Sequence, residues 1–238
     1  DYQVVKSRQF KDYRTFGNLE QTINVFNNRN VDEIIILDID ASKKEKKINL
    51  EILKILSKNN IMPLSFGGGI NSIKDIELCL KHGCDKVIIN SSCLRKIDFI
   101  KEASKVFGKQ CIVCSIDYKL NNNDLKIYSH SGVNTEKLEI KTYINDLIDN
   151  GAGEIILTSV DNEGLMKGFD KDLHKILSEE LEIPILINGG CGEPKDMLEI
   201  LVKNQFDAVC ASSIFFYTQF GYSDIKQFLL KSNINVRT

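Results

Sequence analysis

The sequence predicts an α/β fold: a (β/α)8 TIM barrel built from two tandem half-barrels. It is read as one domain over residues 1–238, with halves at about 1–105 and 106–238. Three observations predict it. Short apolar runs alternate with amphipathic, helix-period stretches along the whole chain. The pattern repeats at a constant offset: Glu33 and Glu154 lie 121 positions apart (154 − 33), as do Pro63 and Pro184, and Gly68 and Gly189, while Asp85 and Asp207 lie 122 apart. The length of 238 residues suits two copies of a four-unit half. An open doubly wound sheet is the weaker alternative.

Element by element, strands are expected at 33–39 (EIIILDI), 61–66 (IMPLSF), 85–90 (DKVIIN), 111–117 (CIVCSID), 153–158 (GEIILT), 183–188 (IPILIN) and 207–212 (DAVCAS). Helices fill the gaps, among them 49–59 and 72–83. The second has Asn71 or Ser72 as N-cap and Gly83 as stop. The opening QVVK at 3–6 aligns with LKIY at 125–128, after the Asp117 strand, so the counterpart of Asp117 falls before residue 1. The first strand is therefore expected to be largely missing from the sequence, leaving an open seam.

Composition narrows the function classes. A net charge of −2 argues against a nucleic-acid surface, and no apolar run is long enough to span a membrane. Seven cysteines without a framework pattern point to a reducing cytoplasm, and Cys111 and Cys114 in CIVC read as structural thiols of a buried strand. No metal-ligand spacing is present, and no cofactor is expected. His82 and His174 fall in helical stretches, whereas His130, in SHSG, falls near the mouth.

The glycine runs FGGGI (66–70) and NGGCG (188–192) sit at strand ends, where a barrel binds its ligands. Glycine admits close backbone approach, and amides at a following helix start favour an anion. Asn90-Ser91 and Ser212-Ser213 end the next strand in each half. The repeat therefore predicts two anion cradles facing each other, including Gly68, Gly69, Gly189 and Gly190, and a ligand with two phosphates or two anionic ends. Asp38 and Asp117 end apolar strands and are candidate acid–base groups; a loop or cap hydrogen bond is the alternative for each.

The stretches VDEIIILDIDAS, PLSFGGGI, GCDKVIINSS, VCSIDYK, NGAGEIILTSVDNEG, GFDKDL, PILINGGCG, DAVCASSIF and NINVR, in this order, resemble the cyclase (HisF) subunit of imidazole glycerol phosphate synthase. The resemblance implies a glutaminase (HisH-type) partner in a heterodimer and ammonia passing through the barrel to its mouth. There a bis-phosphorylated ribulosyl aminoimidazole is converted to imidazole glycerol phosphate and an aminoimidazole carboxamide ribotide, in histidine biosynthesis. It assigns Asp117 as one of two catalytic aspartates, the other upstream of residue 1, and Asp38 as an active-site acid. It places one phosphate on Gly69, Asn90 and Ser91, and the other on Glu163, Gly164, Gly190, Ala211 and Ser212, with Glu163 standing where the family usually has Asp. Ser131, Gly132 and Thr158 are grouped with these substrate residues. Lys6 matches the lysine of the mobile first loop. Glu33, Lys86 and Glu154 match three members of a charged gate whose arginine would lie upstream, and Asp85 matches a partner-facing residue. The first loop, KSRQFKDYRTFGNLEQT, and DIDAS look more like a surface-polysaccharide paralogue that supplies ammonia for acetamidino sugars. A non-catalytic glutaminase-docking barrel and the sister isomerase, which needs no ammonia, are the other readings.

Overall fold

The computed structural model describes residues 2–29, 31–41, 44, 46–121, 124–177, 181–202 and 206–237; the side chains of Asn121 and His174 are not among what it describes. Its strands are β1 (Gln3–Arg8), β2 (Lys11–Asn18), β3 (Ile34–Leu37), β4 (Leu64–Gly67), β5 (Lys86–Ile89), β6 (Ile112–Asn121), β7 (Asp124–Ser129), β8 (Asn134–Thr135), β9 (Glu154–Ser159), β10 (Ile185–Asn188) and β11 (Ala208–Cys210). The helices are α1 (Leu19–Asn27), α2 (Leu50–Asn59), α3 (Ile73–Lys81), α4 (Ser91–Arg95), α5 (Asp98–Phe107), α6 (Ile140–Asp149), α7 (Leu173–Ile176), α8 (Pro194–Leu201), α9 (Ile214–Tyr217) and α10 (Tyr222–Lys231). Among these residues, no helix is long and apolar enough to cross a membrane.

The parallel sheet runs in the spatial order β11, β10, β9, β6, β5, β4, β3, with helices in the connections. Its registers repeat as the sequence does: Ile34 pairs with Leu64 and, 121 positions on, Ile155 with Ile185. Strand starts follow the same rule. The prolines at 63 and 184 cannot donate to a ladder, so β4 begins one residue later than its proline, and so does β10. Leu64 N–H is taken by the Asp85 carboxylate at 2.8 Å, and Ile185 N–H by Asp207 at 2.8 Å. The carboxylate of Asp85, expected to face a partner, thus also closes a strand start.

Inward-facing side chains stack in three layers, because alternate residues of a strand share a face. Glu33, Ser65, Lys86 and Glu154 form a charged floor. Above it, Ile88, Val113 and Ile156 pack with Ile35 and Leu186; contacts reaching from β3 to β10 show that the sheet curls round an interior. Asn90, Asp117, Thr158 and Asn188 make the polar top. The larger apolar core lies between the sheet and the helices. α3 is capped as expected by Ser72, whose side chain accepts from Asp75 N–H.

Two expectations need correction. Cys111 is not in a strand; Gly108, at φ 84°, breaks α5 into a single 3-10 turn that ends at Cys111, leaving only Cys114 as a buried strand thiol. β6 runs past Asp117 into an antiparallel hairpin with β7. The aligned QVVK and LKIY stretches fall within β1 and β7, and each folds back in a hairpin, β1 on β2 and β7 on β8.

The first glycines of the two rims are explained by packing. A Cβ on Gly68 would lie 2.4 Å from the Asp38 carbonyl oxygen, and one on Gly189 would lie 2.7 Å from that of Ser159, 121 positions further on. Both backbones are left-handed, at φ 109° and 97°. The Gly68→Ala variant is expected to lose about 2–4 kcal/mol through overpacking and backbone strain. That should lower Tm by roughly 5–15 °C for a chain of this size, as a calorimetric scan would read.

Candidate active site

Asp117 sits at the top of β6, 8% exposed, between Thr158 on β9 and Tyr128 on β7. Burial pushes its carboxyl up to about 7; a 3.0 Å hydrogen bond donated by Asn90 Nδ2 opposes the rise, and the negative charge of Glu163 adds to it. A carboxyl held near neutrality can take up or give up a proton at working pH. Asn90 was expected at a phosphate, yet its amide nitrogen serves Asp117. Its Oδ1 is buried and, among the described residues, has no hydrogen-bond partner. Thr158 Oγ1 accepts from Asn188 Nδ2 at 3.3 Å.

The other expected acid behaves differently. Asp38 Oδ1 accepts from the N–H groups of Asp40 (3.0 Å) and Ala41 (3.2 Å), so that oxygen closes its own βα loop, the alternative the sequence left open.

The β1–β2 hairpin lies across the mouth. Gln9 N–H donates to the Glu163 carbonyl at 2.8 Å and Gln9 Nε2 to the Asp161 carbonyl at 2.9 Å. A Cβ on Gly164 would sit 1.8 Å from the Ser7 carbonyl oxygen, so the residue assigned to a phosphate is also where the hairpin lands. Lys6 then reaches the Ser212 hydroxyl and stands 4.6 Å from the centre of the Phe216 ring. Burial lowers its ammonium to about 8, against the favourable charge of Glu163. Burial likewise raises Glu163, against Lys6. A lysine, a glutamate and a hydroxyl from β1, the 160–164 loop and the end of β11 are therefore grouped under the hairpin, although they are distant in sequence.

The remaining expected residues fall around this centre. Gly69 (φ 75°) lies against Ala41 and the Lys46 carbonyl, and Gly190 (φ 111°) against the Gly168 carbonyl. Ser91 opens α4, and Ala211 follows β11. Ser131 and Gly132 are left-handed, at φ 59° and 79°, and Gly132 lies beside Val160 and Phe10. A continuous cavity of about 1790 Å³ joins Lys6, Asp117, Glu163 and Ser212 above to Glu33 and Asp207 below, and also opens between β3 and β11. On the floor, Lys86 Nζ bridges Glu33 (3.0 Å) and Glu154 (2.7 Å), so the three residues that the resemblance assigned to a gate stand together. Cys210 beside it is pushed up to about 12, first by burial and then by both glutamates. Sequence reasoning missed Gln9, Phe216 and Asn188. Only Asn188 carried a usable signal, since it follows Thr158 in the inward-facing pattern.

The histidine biosynthesis protein family model matches residues 1–221. The Campylobacter jejuni hisF2 chain, named for imidazole glycerol phosphate synthase, is 44% identical over 99% of this chain and 93% of its own. The imidazole glycerol phosphate synthase subunit HisF of Dehalococcoides mccartyi is 38% identical (98% and 92%), and that of Bacillus subtilis 35% (98% and 94%). With matches that run nearly end to end, this chain belongs to the histidine biosynthesis protein family, alongside the HisF subunits.

Proposed function

We propose that the chain is the cyclase subunit of an imidazole glycerol phosphate synthase. It takes ammonia from a HisH-type glutaminase in a heterodimer and joins it to a bis-phosphorylated ribulosyl aminoimidazole. The observation that carries this reading is a buried Asp117 held near 7 at the top of a barrel interior whose floor is a charged triad. Ammonia adding to a carbonyl carbon forms a C–N bond and leaves a surplus proton on nitrogen, and ionised Asp117 is placed to accept it. The two phosphates occupy opposite rims, one at Gly69, Asn90 and Ser91, the other at Gly164, Gly190, Ala211 and Ser212. Lys6 supplies positive charge to the second. The barrel acts as one domain of two halves, and its seven free cysteines suit a reducing cytoplasm.

Incubating the purified chain with an ammonium salt and the bis-phosphorylated ribotide tests this: imidazole glycerol phosphate and the carboxamide ribotide should form in equal amounts. In the complex, Lys86→Met leaves Glu33 and Glu154 facing each other across the floor. Glutamine-driven turnover should fall about 10-fold, since breaking one partner of a paired charge strands the other, while ammonium-driven turnover stays within about twofold.

A second reading has its own support, the 44% identity to the hisF2 chain against 38% and 35% to the two HisF subunits. In it, the barrel passes ammonia to a sugar for acetamidino formation in surface-polysaccharide synthesis. A barrel that stimulates its glutaminase yet leaves the ribotide untouched would support that reading.

A further inference from the structure

The β7–β8 hairpin carries a hydrogen-bond relay that the reaction described above does not use. Ser129, 2% exposed, donates its hydroxyl proton to Glu136 Oε1 and stands 3.0 Å from His130 Nδ1. A hydroxyl has one proton. With that proton committed to a carboxylate, which only accepts, Ser129 Oγ can only accept from the ring, so Nδ1 carries the hydrogen. Asn134 Nδ2 lies 3.3 Å from the same nitrogen, a longer contact; an amide turned to present its oxygen satisfies the same arrangement.

In its neutral form the ring is then the Nδ1–H tautomer, and its Nε2 holds a lone pair. Among the described residues Nε2 has no hydrogen-bond partner, and His130 lines the central cavity together with Phe10, Asp117 and Glu163. The backbone is left-handed at His130, Ser131 and Gly132 (φ 50°, 59° and 79°), and a Cβ on Gly132 would meet Val160 and Phe10. The loop is therefore fitted beneath the tip of the closing hairpin.

We propose that His130 is a substrate-reading residue. Glu136 and Ser129 fix its tautomer, and Nε2 accepts a hydrogen bond from a hydroxyl or N–H of the ligand, so it selects a hydrogen-bond donor where the two rims select anions. The proposal rests on the cyclase reading for the identity of that ligand, a polyhydroxylated sugar phosphate.

The test uses the full chain with 15N-labelled histidine, together with steady-state kinetics. In the wild type, His130 Nδ1 should be protonated and Nε2 of the lone-pair type, and Ser129→Ala should mix the tautomers. His130→Asn suits the left-handed backbone and keeps the fold, but does not reach as far. It should lower kcat/KM for the ribotide about 10–100-fold while leaving the KM for ammonium unchanged. Ser129→Ala should cost less, and the double variant no more than His130→Asn alone. A wild-type ring protonated at Nε2, or kinetics within twofold of wild type for His130→Asn, overturns the proposal. If the wild type does not turn over the ribotide, the cyclase reading has failed and titration with ribose 5-phosphate decides His130 alone: a displaced Nε2 resonance supports the role, an unmoved one at saturation removes it.

Discussion

Asp117→Asn is expected to lower ammonium-driven turnover of the ribotide by about 10²–10⁴-fold, the range that a positioned proton acceptor contributes, while leaving ribotide binding nearly unchanged. The amide keeps the size of the carboxyl and can still accept from Asn90, but it cannot take a proton. The same variant should be more stable than the wild type at pH 8. Burial raises the folded-state carboxyl to about 7, so the folded protein favours the protonated form. That contribution is fully present below the unfolded pKa, near 4, and is lost as pH rises through about 7. The stability gap between variant and wild type should therefore be small at pH 4 and on the order of a few kcal/mol at pH 8, as denaturant titrations at both pH values would read. A variant that is inactive but less stable at pH 8 would contradict this.

Gly164→Ala carries the second large effect. Its methyl would fall 1.8 Å from the Ser7 carbonyl oxygen on a backbone already at φ 72°, so the β1–β2 hairpin cannot seat as it does. Lys6 lies next to Ser7 and would leave Ser212 and Phe216 with it. Displacing a positioned group by about 1 Å costs on the order of 10²-fold, and kcat/KM should fall by that much while the thermal transition moves little. Lys6→Met should cause a similar loss, and combining the two should add little, because both remove the same ammonium. Additive losses would separate the hairpin from Lys6.

Much of this was legible in the sequence because it is local or periodic. The 121-residue offset fixed which strands are equivalent, and the registers Ile34–Leu64 and Ile155–Ile185 reproduce it. Glu33, Lys86 and Glu154 were grouped by the family resemblance alone; in the structure Lys86 bridges the two glutamates on the floor. The glycines were harder to read. An anion cradle and a tight backbone crossing call for the same residue, and only the three-dimensional contacts of Gly68 with Asp38 and of Gly189 with Ser159 reveal the crossing. Asp38 and Asp117 looked alike as strand-end acids. Their difference lies in what surrounds them: N–H groups two and three residues on for one, burial between β7 and β9, opposed by the Asn90 amide, for the other. Hairpin docking was not legible at all, since Gln9 meets Asp161 and Glu163 across more than half the chain.

The most direct test is kcat/KM for the ribotide from pH 5.5 to 9, with the concentration of unprotonated ammonia held constant. That ratio reports the ionisations of the free enzyme. It should rise as Asp117 ionises through about 7 and fall as Lys6 loses its proton through about 8, giving a narrow optimum between them. In Asp117→Asn the acidic limb should vanish along with most of the rate. A wild-type profile level between pH 5.5 and 7.5, or an Asp117→Asn profile that keeps the acidic limb, would contradict Asp117 as the proton acceptor of the mouth.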